Sequence, residues 1–535
     1  MESLPGWLTP LPDAAAMRAI DRWAIDEQGV PGLDLMERAG AAVARAVERL
    51  APDGDVAIVC GKGNNGGDGF VTARLLREAG RRADVVCVAP PSKLSGDALT
   101  NLERLPGPAP VTLGGAPWEQ GGAASGAAED AGAQQGAPLA ACSAVVDALL
   151  GTGFQGEPRG EVAVAIEAIN QSGAPVISVD VPSGVQASTG EVAGAAVRAS
   201  ATVTFHAAKP GLWIAPGKQH AGDVQVADIG IPRGAPVAAP IGLLTVAALE
   251  RLPSRAPGWT KFTSGHVLVA GGSRGLAGAP QLTARACMRA GAGYVTLCVA
   301  RSLQDVIASA GWPELMTRGL PERDGEIAAA AAAEVLQAGE RGGALALGPG
   351  LGRGPGAAFA RELAARAPLA MVLDADGLNA HAGSLGGLAS RAAPTVLTPH
   401  AGELGRLLEL DSARIERERL RHAREAAELA QAVVVLKGDD TLIADPGGLT
   451  AVSPGGSPAL ATAGTGDVLT GVVAALLAQG LGAFEAACAG VWLHAEAGRE
   501  AARRQGGADG VIASDVIDAL AAVRGSREGA TEAGR

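Results

Sequence analysis

The stretch with the clearest chemical potential is the loop CGKGNNGGDG, residues 60–69. Gly61, Gly63 and Gly66 form a G-x-G-x-x-G pattern directly after the apolar run Val56–Cys60, the order found in dinucleotide-binding loops. The same loop also holds two asparagines and an aspartate, and no acidic residue ends the next apolar run. The loop therefore predicts nucleotide binding with additional side-chain chemistry, and it disfavours an ordinary dehydrogenase.

Two more predicted strand ends in the first half carry polar side chains. VVDALLGTGFQGE places Asp147 at one strand end, and ISVDVPSG places Asp180 and Ser183 at another. Ligands of doubly wound sheets bind at the carboxyl ends of the strands. Asn65, Asp147 and Ser183 offer hard oxygen donors, which suit a cation that does not select sulfur or imidazole. Each turn alone is compatible with simple capping chemistry, but the three together indicate a site.

A different set of motifs follows residue 240. AGTGDVLTG puts residues 465–467 at a predicted helix N-terminus, where free N–H groups favour an anion. Asp467 could accept a proton from a hydroxyl that receives a phosphoryl group, although a plain N-cap aspartate gives the same pattern. TPHAGE places His400 and Glu403 at another strand end, and GPGLG at 348–352 allows close approach to the backbone.

The elements around these motifs predict two three-layer α/β domains. Continuous apolar runs such as VAIVC, PVISVD and AVVVLKG alternate with Ala-rich helical stretches, which indicates parallel sheets covered on both faces. Because 535 residues exceed one core and RGAPVAAPIG is rich in Pro and Gly, we predict domains at 1–240 and 241–535. We predict that the Gly/Ala/Gln-rich segment at roughly 107–141 is a loop or insertion without chemistry.

Charge and composition limit the partners. The net charge is -12 and no basic block occurs, which disfavours nucleic acid. No leader pattern or apolar run of about 18 residues is visible, so we expect a cytoplasmic protein without a membrane partner. The chain has only six lysines, and a lysine beside a glycine-rich turn is therefore informative.

The first half resembles the NAD(P)H-hydrate epimerases. GKGNNGGDG, DALLGTGFQG and VDVPSG occur in the order of that family, and HAAKPGLW is similar to its late K-P-G turn, so the resemblance covers about residues 10–235. It implies that a potassium ion is bound at Asn65, Asp147 and Ser183. It also implies that Asp180 contacts the hydrated nicotinamide ring, where it is our candidate proton donor or acceptor. The implied contacts to the dinucleotide substrate are Asn64, Asn65, Gly66, Gly67, Asp68, Gly151, Thr152, Gly153, Phe154, Gln155, Gly156 and Glu157.

The second half resembles the ribokinase-like superfamily through GTGD. It resembles the ADP/ATP-dependent NAD(P)H-hydrate dehydratases through LGPGLG, TPHAGE, LKGDDT and AGTGDVLTG, over about residues 245–520. The family often has a tyrosine where this chain has Leu276, and we assign no catalytic role to Asp374 or Asp376. The resemblance implies that Mg2+ shields the phosphates and that Asp467 is the base. The implied contacts to the hydrate are Ala279, Gly350, His400 and Asp467. The implied contacts to the adenine nucleotide are Lys437, Gly438, Asp439, Asp440, Thr441 and Gly466.

Together the two resemblances predict a bifunctional enzyme that repairs hydrated NADH and NADPH. The first domain would epimerise the R and S hydrates, and the second would dehydrate the S hydrate with ADP or ATP, ADP being favoured. The alternatives are a ribokinase-type vitamin or sugar kinase fused to a nucleotide-binding module, and a non-enzymatic dinucleotide sensor. Asp467 and Lys437 argue against the sensor. We expect only small-molecule substrates, and a homo-oligomer.

Overall fold

The computed structural model describes residues 4–112, 139–309 and 312–532. The chain divides into two compact units, one of residues 10–239 and the other of residues 4–9 together with 240–535. The second unit therefore includes a short N-terminal segment with most of strand β1 (Leu8–Pro10), which the sequence had placed in the first domain. Most of the Gly/Ala/Gln-rich segment, residues 113–138, lies outside the described residues.

In the described part of the chain, the first unit is built on a seven-stranded parallel sheet. The strands lie in the order β4-β3-β2-β5-β6-β7-β8. They are β2 (Val56–Cys60), β3 (Ala83–Cys87), β4 (Val111–Thr112), β5 (Ala144–Ala148), β6 (Val176–Val179), β7 (Ala201–Phe205) and β8 (Asp223–Ala227). The helices are α1 (Ala14–Arg22), α2 (Gly32–Leu50), α3 (Asn64–Glu78), α4 (Gly96–Glu103), α5 (Glu161–Gln171) and α6 (Lys218–Ala221).

Apolar side chains cover both faces of this sheet. Ile58 of β2 belongs to a core that includes Val43 of α2 and Phe70 of α3. The next residue, Val59, belongs to a second core with Ile166 of α5. Since successive residues of a strand point to opposite faces, the continuous apolar runs arise from helices on both sides. The predicted α/β fold is confirmed.

In its described residues, the second unit has an eleven-stranded sheet in the order β1-β9-β20-β19-β18-β17-β16-β15-β10-β11-β12. Strand β19 is antiparallel to β18 and β20, whereas the pairs from β10 outward to β12 and to β18 are parallel. The strands are β9 (Ile241–Leu244), β10 (His266–Ala270), β11 (Tyr294–Ala300), β12 (Met316–Leu320), β15 (Ala344–Leu347), β16 (Ala370–Leu373), β17 (Thr395–Leu397), β18 (Val433–Leu436), β19 (Leu442–Ala444) and β20 (Thr450–Val452), with a separate hairpin of β13 (Glu322–Arg323) and β14 (Glu326–Ile327).

The helices of the second unit include one that is buried on all sides. The long apolar helix predicted after GTGD is α15 (Thr465–Ala478), in which Val468 through Leu477 are all buried. Within the described residues, no helix has both the length and the apolar character that crossing a bilayer requires. The other helices are α7 (Gly278–Arg289), α8 (Arg301–Ser309), α9 (Ala332–Ala338), α10 (Pro355–Arg366), α11 (Asp376–Asn379), α12 (Ala401–Leu408), α13 (Ser412–Arg417), α14 (Arg419–Ala430), α16 (Ala483–Gln505) and α17 (Ala513–Glu532).

The strand order of each sheet reverses beside a central strand. In the first sheet the reversal lies between β2 and β5, and in the second between β10 and β15. Ligands of such sheets bind outside the carboxyl ends of the strands at this point. In the first sheet the predicted polar loops leave β2, β5 and β6, at or next to the reversal. In the second sheet GPGLG leaves β15 at the reversal, whereas TPHAGE leaves β17 and LKGDDT leaves β18, two and three strands away.

Close backbone approach explains two glycines of the first loop. A methyl group on Gly66 would lie 2.0 Å from the Gly61 carbonyl oxygen, and one on Gly61 would lie 1.9 Å from that of Leu149. At Gly63 in the same loop, a methyl group would meet nothing within 4 Å. The loop can fold onto the strand ends only where these two side chains are absent.

We predict that Gly66→Ala destabilises the first unit by roughly 1–3 kcal/mol, because the added methyl group must displace backbone. Gly63→Ala is the matched control and should change the free energy of unfolding by less than about 0.5 kcal/mol. Calorimetric unfolding of the full chain measures both. Equal effects of the two substitutions would contradict the close-approach explanation.

Candidate active sites

A cavity of about 810 Å3 opens at the carboxyl edge of the first sheet. The residues predicted to hold the dinucleotide divide there into two groups. Asn64, Asn65, Asp68, Gly151, Thr152, Gly153, Phe154 and Asp180 line the cavity. Gly66, Gly67, Gln155, Gly156 and Glu157 are not among its lining residues, because the two glycines are buried in the first turn of α3 and the other three are exposed beyond the loop.

The loop after β2 leads directly into a helix. Helix α3 begins at Asn64, with Gly63 as its N-cap. Because the N–H groups of the first turn have no partner within the helix, this end of α3 favours an anion such as a pyrophosphate. Lys62 and Lys93 also line the cavity and are exposed, which adds positive charge.

Asp147, at the end of β5, is fully buried and fully hydrogen-bonded. Its Oδ1 accepts from the Ser183 hydroxyl at 2.6 Å and the Leu149 N–H at 3.3 Å. Its Oδ2 accepts from the Ser178 hydroxyl at 2.8 Å and the Ser183 N–H at 2.9 Å. Burial raises the pKa of the Asp147 carboxyl, and these hydrogen bonds lower it again. The carboxyl therefore ties the β5 and β6 loops together.

The three predicted cation ligands meet at one backbone segment. Asn65 Nδ2 donates to the Leu150 carbonyl at 3.1 Å, and the Leu150 N–H donates to the Ser183 hydroxyl at 2.9 Å. Asp147 reaches the preceding residue, Leu149, as described above. Among the residues that the structure describes, no group of three or more His, Cys, Asp or Glu side chains could hold a metal ion. A cation here would need amide, hydroxyl and carbonyl oxygens.

The deepest ion pair of the first cavity joins Asp180 to a lysine that the sequence had left without a role. The fully buried Lys209 ammonium donates to Asp180 Oδ1 at 2.5 Å, to the Thr204 hydroxyl at 2.8 Å and to the Phe205 carbonyl at 3.0 Å. Asp180 has φ 67°, an uncommon value for a residue other than glycine. The scarcity of lysine and the K-P-G turn are the sequence signals that point to Lys209.

Three further carboxyl groups line this cavity, those of Asp21, Asp68 and Asp97, and the first two have raised pKa values. Burial raises the pKa of Asp68 well above its ordinary range, and the carboxylates of Asp180 and Asp21 raise it further. Burial also raises the pKa of Asp21, which the Lys209 ammonium counteracts. Asp21 lies on α1 in no recognisable motif, so it could not be selected from the sequence alone.

The second unit has a cavity of about 530 Å3 at its own carboxyl edge. Five of the predicted nucleotide contacts line it: Lys437, Gly438, Asp439, Thr441 and Gly466. His494, which the sequence left unassigned, lines it as well, and burial lowers the pKa of this imidazole to about 4, so the ring is neutral. The loop after β18 and the start of α15 therefore share one cavity.

The sixth predicted nucleotide contact, Asp440, lies elsewhere. Its carboxyl is buried and accepts from Arg419 Nε at 3.1 Å, and Asp440 is absent from the lining of the cavity. Arg419 also donates to the Lys437 carbonyl at 3.3 Å. The side chain of Asp440 therefore fixes the shape of the loop from behind rather than facing a ligand.

Lys437 lies among three carboxyl groups. Its ammonium donates to Asp374 Oδ1 at 3.0 Å and lies 3.7 Å from Glu403 Oε2. Asp374 Oδ2 in turn accepts from the Thr470 hydroxyl of α15 at 2.6 Å. These contacts give Asp374 a structural role that the sequence had left open.

Asp467, in the first turn of α15, is the third carboxyl. Its side chain accepts no hydrogen bond from the described residues. Burial raises the pKa of Asp467 to about 7, with further increases from Asp374 and Glu403 and a decrease from Lys437. A carboxyl with this pKa can take up or release a proton at neutral pH, which is what a general base requires.

None of the four predicted hydrate contacts, Ala279, Gly350, His400 and Asp467, is among the lining residues of the second cavity. His400 is the N-cap of α12. Its imidazole Nδ1 accepts a hydrogen bond from the Gly402 N–H at 3.0 Å, and its backbone N–H donates to Glu403 Oε2 at 3.0 Å. A methyl group on Gly350, at φ 62°, would lie 2.5 Å from the Leu276 carbonyl and 3.4 Å from the Ala279 methyl. Ala279 and Gly350 are therefore neighbours at the ends of β10 and β15.

The chain matches two known sequence families. Residues 267–521 match the NAD(P)H-hydrate dehydratase family, and residues 32–211 match the family described as YjeF-related protein N-terminus. Among solved structures, it is similar to the ADP/ATP-dependent NAD(P)H-hydrate dehydratase of Bacillus subtilis co-crystallised with ATP and Mg2+. That likeness has 29% identity, covers 52% of this chain and 94% of that chain, and has a TM-score of 0.44.

Relatives of the same two-part organisation match almost the whole length. The bifunctional NAD(P)H-hydrate repair enzyme Nnr of Moorella thermoacetica is 41% identical over 95% of this chain and 95% of its own. The enzyme of the same name from Salinibacter ruber is 41% identical over 97% of both chains. The resemblance predicted from the motifs is confirmed, and the chain belongs to the family of bifunctional NAD(P)H-hydrate repair enzymes.

Proposed function

We propose that this protein repairs hydrated NADH and NADPH. The first unit interconverts the R and S hydrates. The second removes water from the S hydrate with ADP or ATP, giving NAD(P)H, AMP or ADP, and phosphate. The observation that carries the proposal is the presence, in one chain, of two separate sites that each hold a lysine paired with a carboxyl group. Relatives of full length support repair over the vitamin or sugar kinase alternative.

In the second unit, the proposed base is Asp467. It would take the proton of the S hydroxyl as the phosphoryl group is transferred to that oxygen. The phosphate is then expelled with help from the electron pair of the neighbouring ring nitrogen, and loss of a proton from the adjacent ring carbon restores the reduced nicotinamide ring. The free N–H groups at the start of α15 favour the phosphates at this point, and Lys437 adds a positive charge.

Mg2+ fits the donor chemistry beside Lys437. Mg2+ is usually bound through one or two carboxylates together with substrate phosphates, and Glu403 is buried with one oxygen that accepts no hydrogen bond from the described residues. When bound, the ion would neutralise phosphate charge. Glu403 and Asp374, which both lie beside Lys437, would hold the ion.

In the first unit, K+ would be held by oxygens of Asn65, Asp147 and Ser183, with the Leu150 carbonyl beside them. These amide, carboxylate, hydroxyl and carbonyl oxygens suit a hard cation. Their contribution to catalysis is to fix the loops after β2, β5 and β6 around the hydrated ring. Asp180 faces the cavity where that ring would lie.

The direct test uses the full chain with chemically hydrated NADPH and ADP or ATP. We expect the absorbance of reduced nicotinamide to return, with one phosphate released per NADPH and with ADP as the better donor. A phosphorylated product that persists would contradict dehydration and favour a kinase. Light scattering of the same sample would test the expected homo-oligomer.

We predict that Asp467→Asn lowers dehydration of the S hydrate by at least about 100-fold, because loss of a general base typically has that effect. Epimerisation should remain, since the first unit keeps all its groups. The two rates can be followed separately by chromatography of the R and S hydrates. Equal loss of both activities in a folded variant would contradict two independent sites.

The pH dependence of dehydration should follow the raised pKa of Asp467. Because the base must be ionised, kcat/KM of the S hydrate should rise with pH through about 7 and level off above it. An unshifted aspartate would give a rate that is already constant above about pH 5. Steady-state kinetics between pH 5 and about 9 would distinguish these two profiles.

We predict that Asp147→Asn removes most of the stimulation of epimerisation by K+, because the charged ligand is lost while its shape is retained. Ser178→Ala is the matched control, since it removes one hydrogen bond to the same carboxyl but keeps the charge. Epimerisation rates over a K+ titration measure both. A wild-type potassium response in Asp147→Asn would exclude Asp147 as a ligand.

A further inference from the structure

The carboxyl groups in and beside the first cavity are of two kinds. Asp147 and Asp180 each accept hydrogen bonds from three different residues. Asp68 and Asp21 both line the cavity, yet neither carboxyl accepts a hydrogen bond from any described residue. Asp68 is only 8% exposed. Asp147 and Asp180 are therefore held by hydrogen bonds within the protein, whereas the carboxyl groups of Asp68 and Asp21 are not.

A buried carboxyl group that accepts no hydrogen bond from the described residues, as at Asp68, is uncommon, whereas Asp21 is partly exposed. Most buried polar groups in proteins are hydrogen-bonded, and each exception calls for an explanation such as a catalytic role. Leaving such a group unsatisfied costs free energy that burial of an apolar residue would avoid. Since Asp68 and Asp21 face one cavity, a substrate that enters it would supply the missing partners.

The two carboxyl groups have different affinities for a proton. Burial and the nearby carboxylates of Asp180 and Asp21 raise the pKa of Asp68 well above its ordinary range. The rise in the pKa of Asp21 is smaller, because the Lys209 ammonium opposes burial. Of the two carboxyl groups that line the cavity, Asp68 therefore has the higher affinity for a proton.

We propose that Asp68 and Asp21 are the acid–base pair of epimerisation, an inference that rests on the proposed function. The Asp68 carboxyl donates its proton to the ring hydroxyl, the C–O bond breaks, and water leaves. The electron pair of the adjacent ring nitrogen forms a C=N+ bond. A water molecule then adds to the opposite face of the same carbon, and its proton passes to the Asp21 carboxylate. The reverse direction starts with the proton on Asp21 and ends with it on Asp68.

This scheme gives Asp180 a different role from the one its sequence position suggested. The Asp180 carboxyl is paired with the Lys209 ammonium at 2.5 Å and faces the cavity. An ionised carboxylate beside the ring stabilises the cationic C=N+ species without carrying the proton. Asp180 remains a group that contacts substrate, whereas Asp68 and Asp21 move the protons.

The test uses the full chain, the R hydrate of NADPH and ADP or ATP, so that each epimerised molecule appears as reduced nicotinamide. We expect Asp68→Asn and Asp21→Asn each to lower repair of the R hydrate by at least about 100-fold. Repair of the S hydrate should stay at the wild-type rate, since it needs only the second unit. Asp26→Asn, an exposed position just after α1, is the matched control and should repair both hydrates normally.

Two further measurements separate proton transfer from a structural role. The wild-type epimerisation rate should fall at low pH as Asp21 is protonated and at high pH as Asp68 is ionised. Asp21→Asn should lose the first limb and Asp68→Asn the second, and Asp21→Glu should recover part of the rate. The other charged groups that line the cavity stay unchanged in these variants: Arg18, Lys62, Lys93, Asp97, Asp180 and Lys209.

Oxygen isotope exchange tests the bond that breaks. Without nucleotide the second unit is idle, and in water enriched in oxygen-18 each epimerisation should place one solvent oxygen on the ring carbon. Full repair of the R hydrate by either asparagine variant, unchanged pH limbs, or S product that retains its original oxygen would overturn the proposal. Wild-type protein that never converts the R hydrate would instead overturn the epimerase function itself.

Discussion

Each unit pairs one lysine ammonium with carboxylates at the carboxyl edge of a sheet, and this lysine is fully buried in the first unit and about one fifth exposed in the second. Lys209 pairs with Asp180 in the first unit, and Lys437 pairs with Asp374 in the second. Taking an ion out of water is costly unless it is paired and its other hydrogen bonds are made. Threonine hydroxyls help in both cases, Thr204 on the ammonium and Thr470 on the carboxylate. Loss of one partner would leave a buried charge uncompensated, at about 3–5 kcal/mol.

The same lysines set the proton affinity of their neighbours. In each unit a carboxyl group without a hydrogen-bond partner among the described residues lies near the ion pair, Asp68 in the first and Asp467 in the second. Burial raises the pKa of both, and the lysine limits the rise. The chain uses arginine for almost all other positive charge, yet four of its six lysines line the two cavities. Such a compact, single-point charge is suited to pairing with a carboxylate that must stay in place.

A contact in this structure can be predicted from the sequence only when each of the residues that make it has a sequence signal of its own. Continuous apolar runs predict both sheets, because each strand carries its own evidence of burial on two faces. The meeting of Asn65, Asp147 and Ser183 is predictable since all three follow strands of one parallel sheet. The pairing of Asp440 with Arg419 is not, because Arg419 lies in no recognisable motif and LKGDDT looks the same whichever way the Asp440 carboxyl points. Asp21 was missed for a similar reason, as its helix enters the cavity through tertiary packing alone.

Strand β1 has a consequence for the order of synthesis. Since residues 4–9 belong with residues 240–535, the first unit occupies the position of an insertion within the second. Trp7 accepts hydrogen bonds from Thr245, and Leu8 joins the core of the later sheet. At roughly 5–20 residues per second on the ribosome, this apolar segment is synthesised tens of seconds before the other strands of its sheet. The first unit can already fold during this interval. The epimerase unit can thus fold on the nascent chain. The dehydratase unit completes its sheet only when β1, which is synthesised before the rest of that unit, joins it.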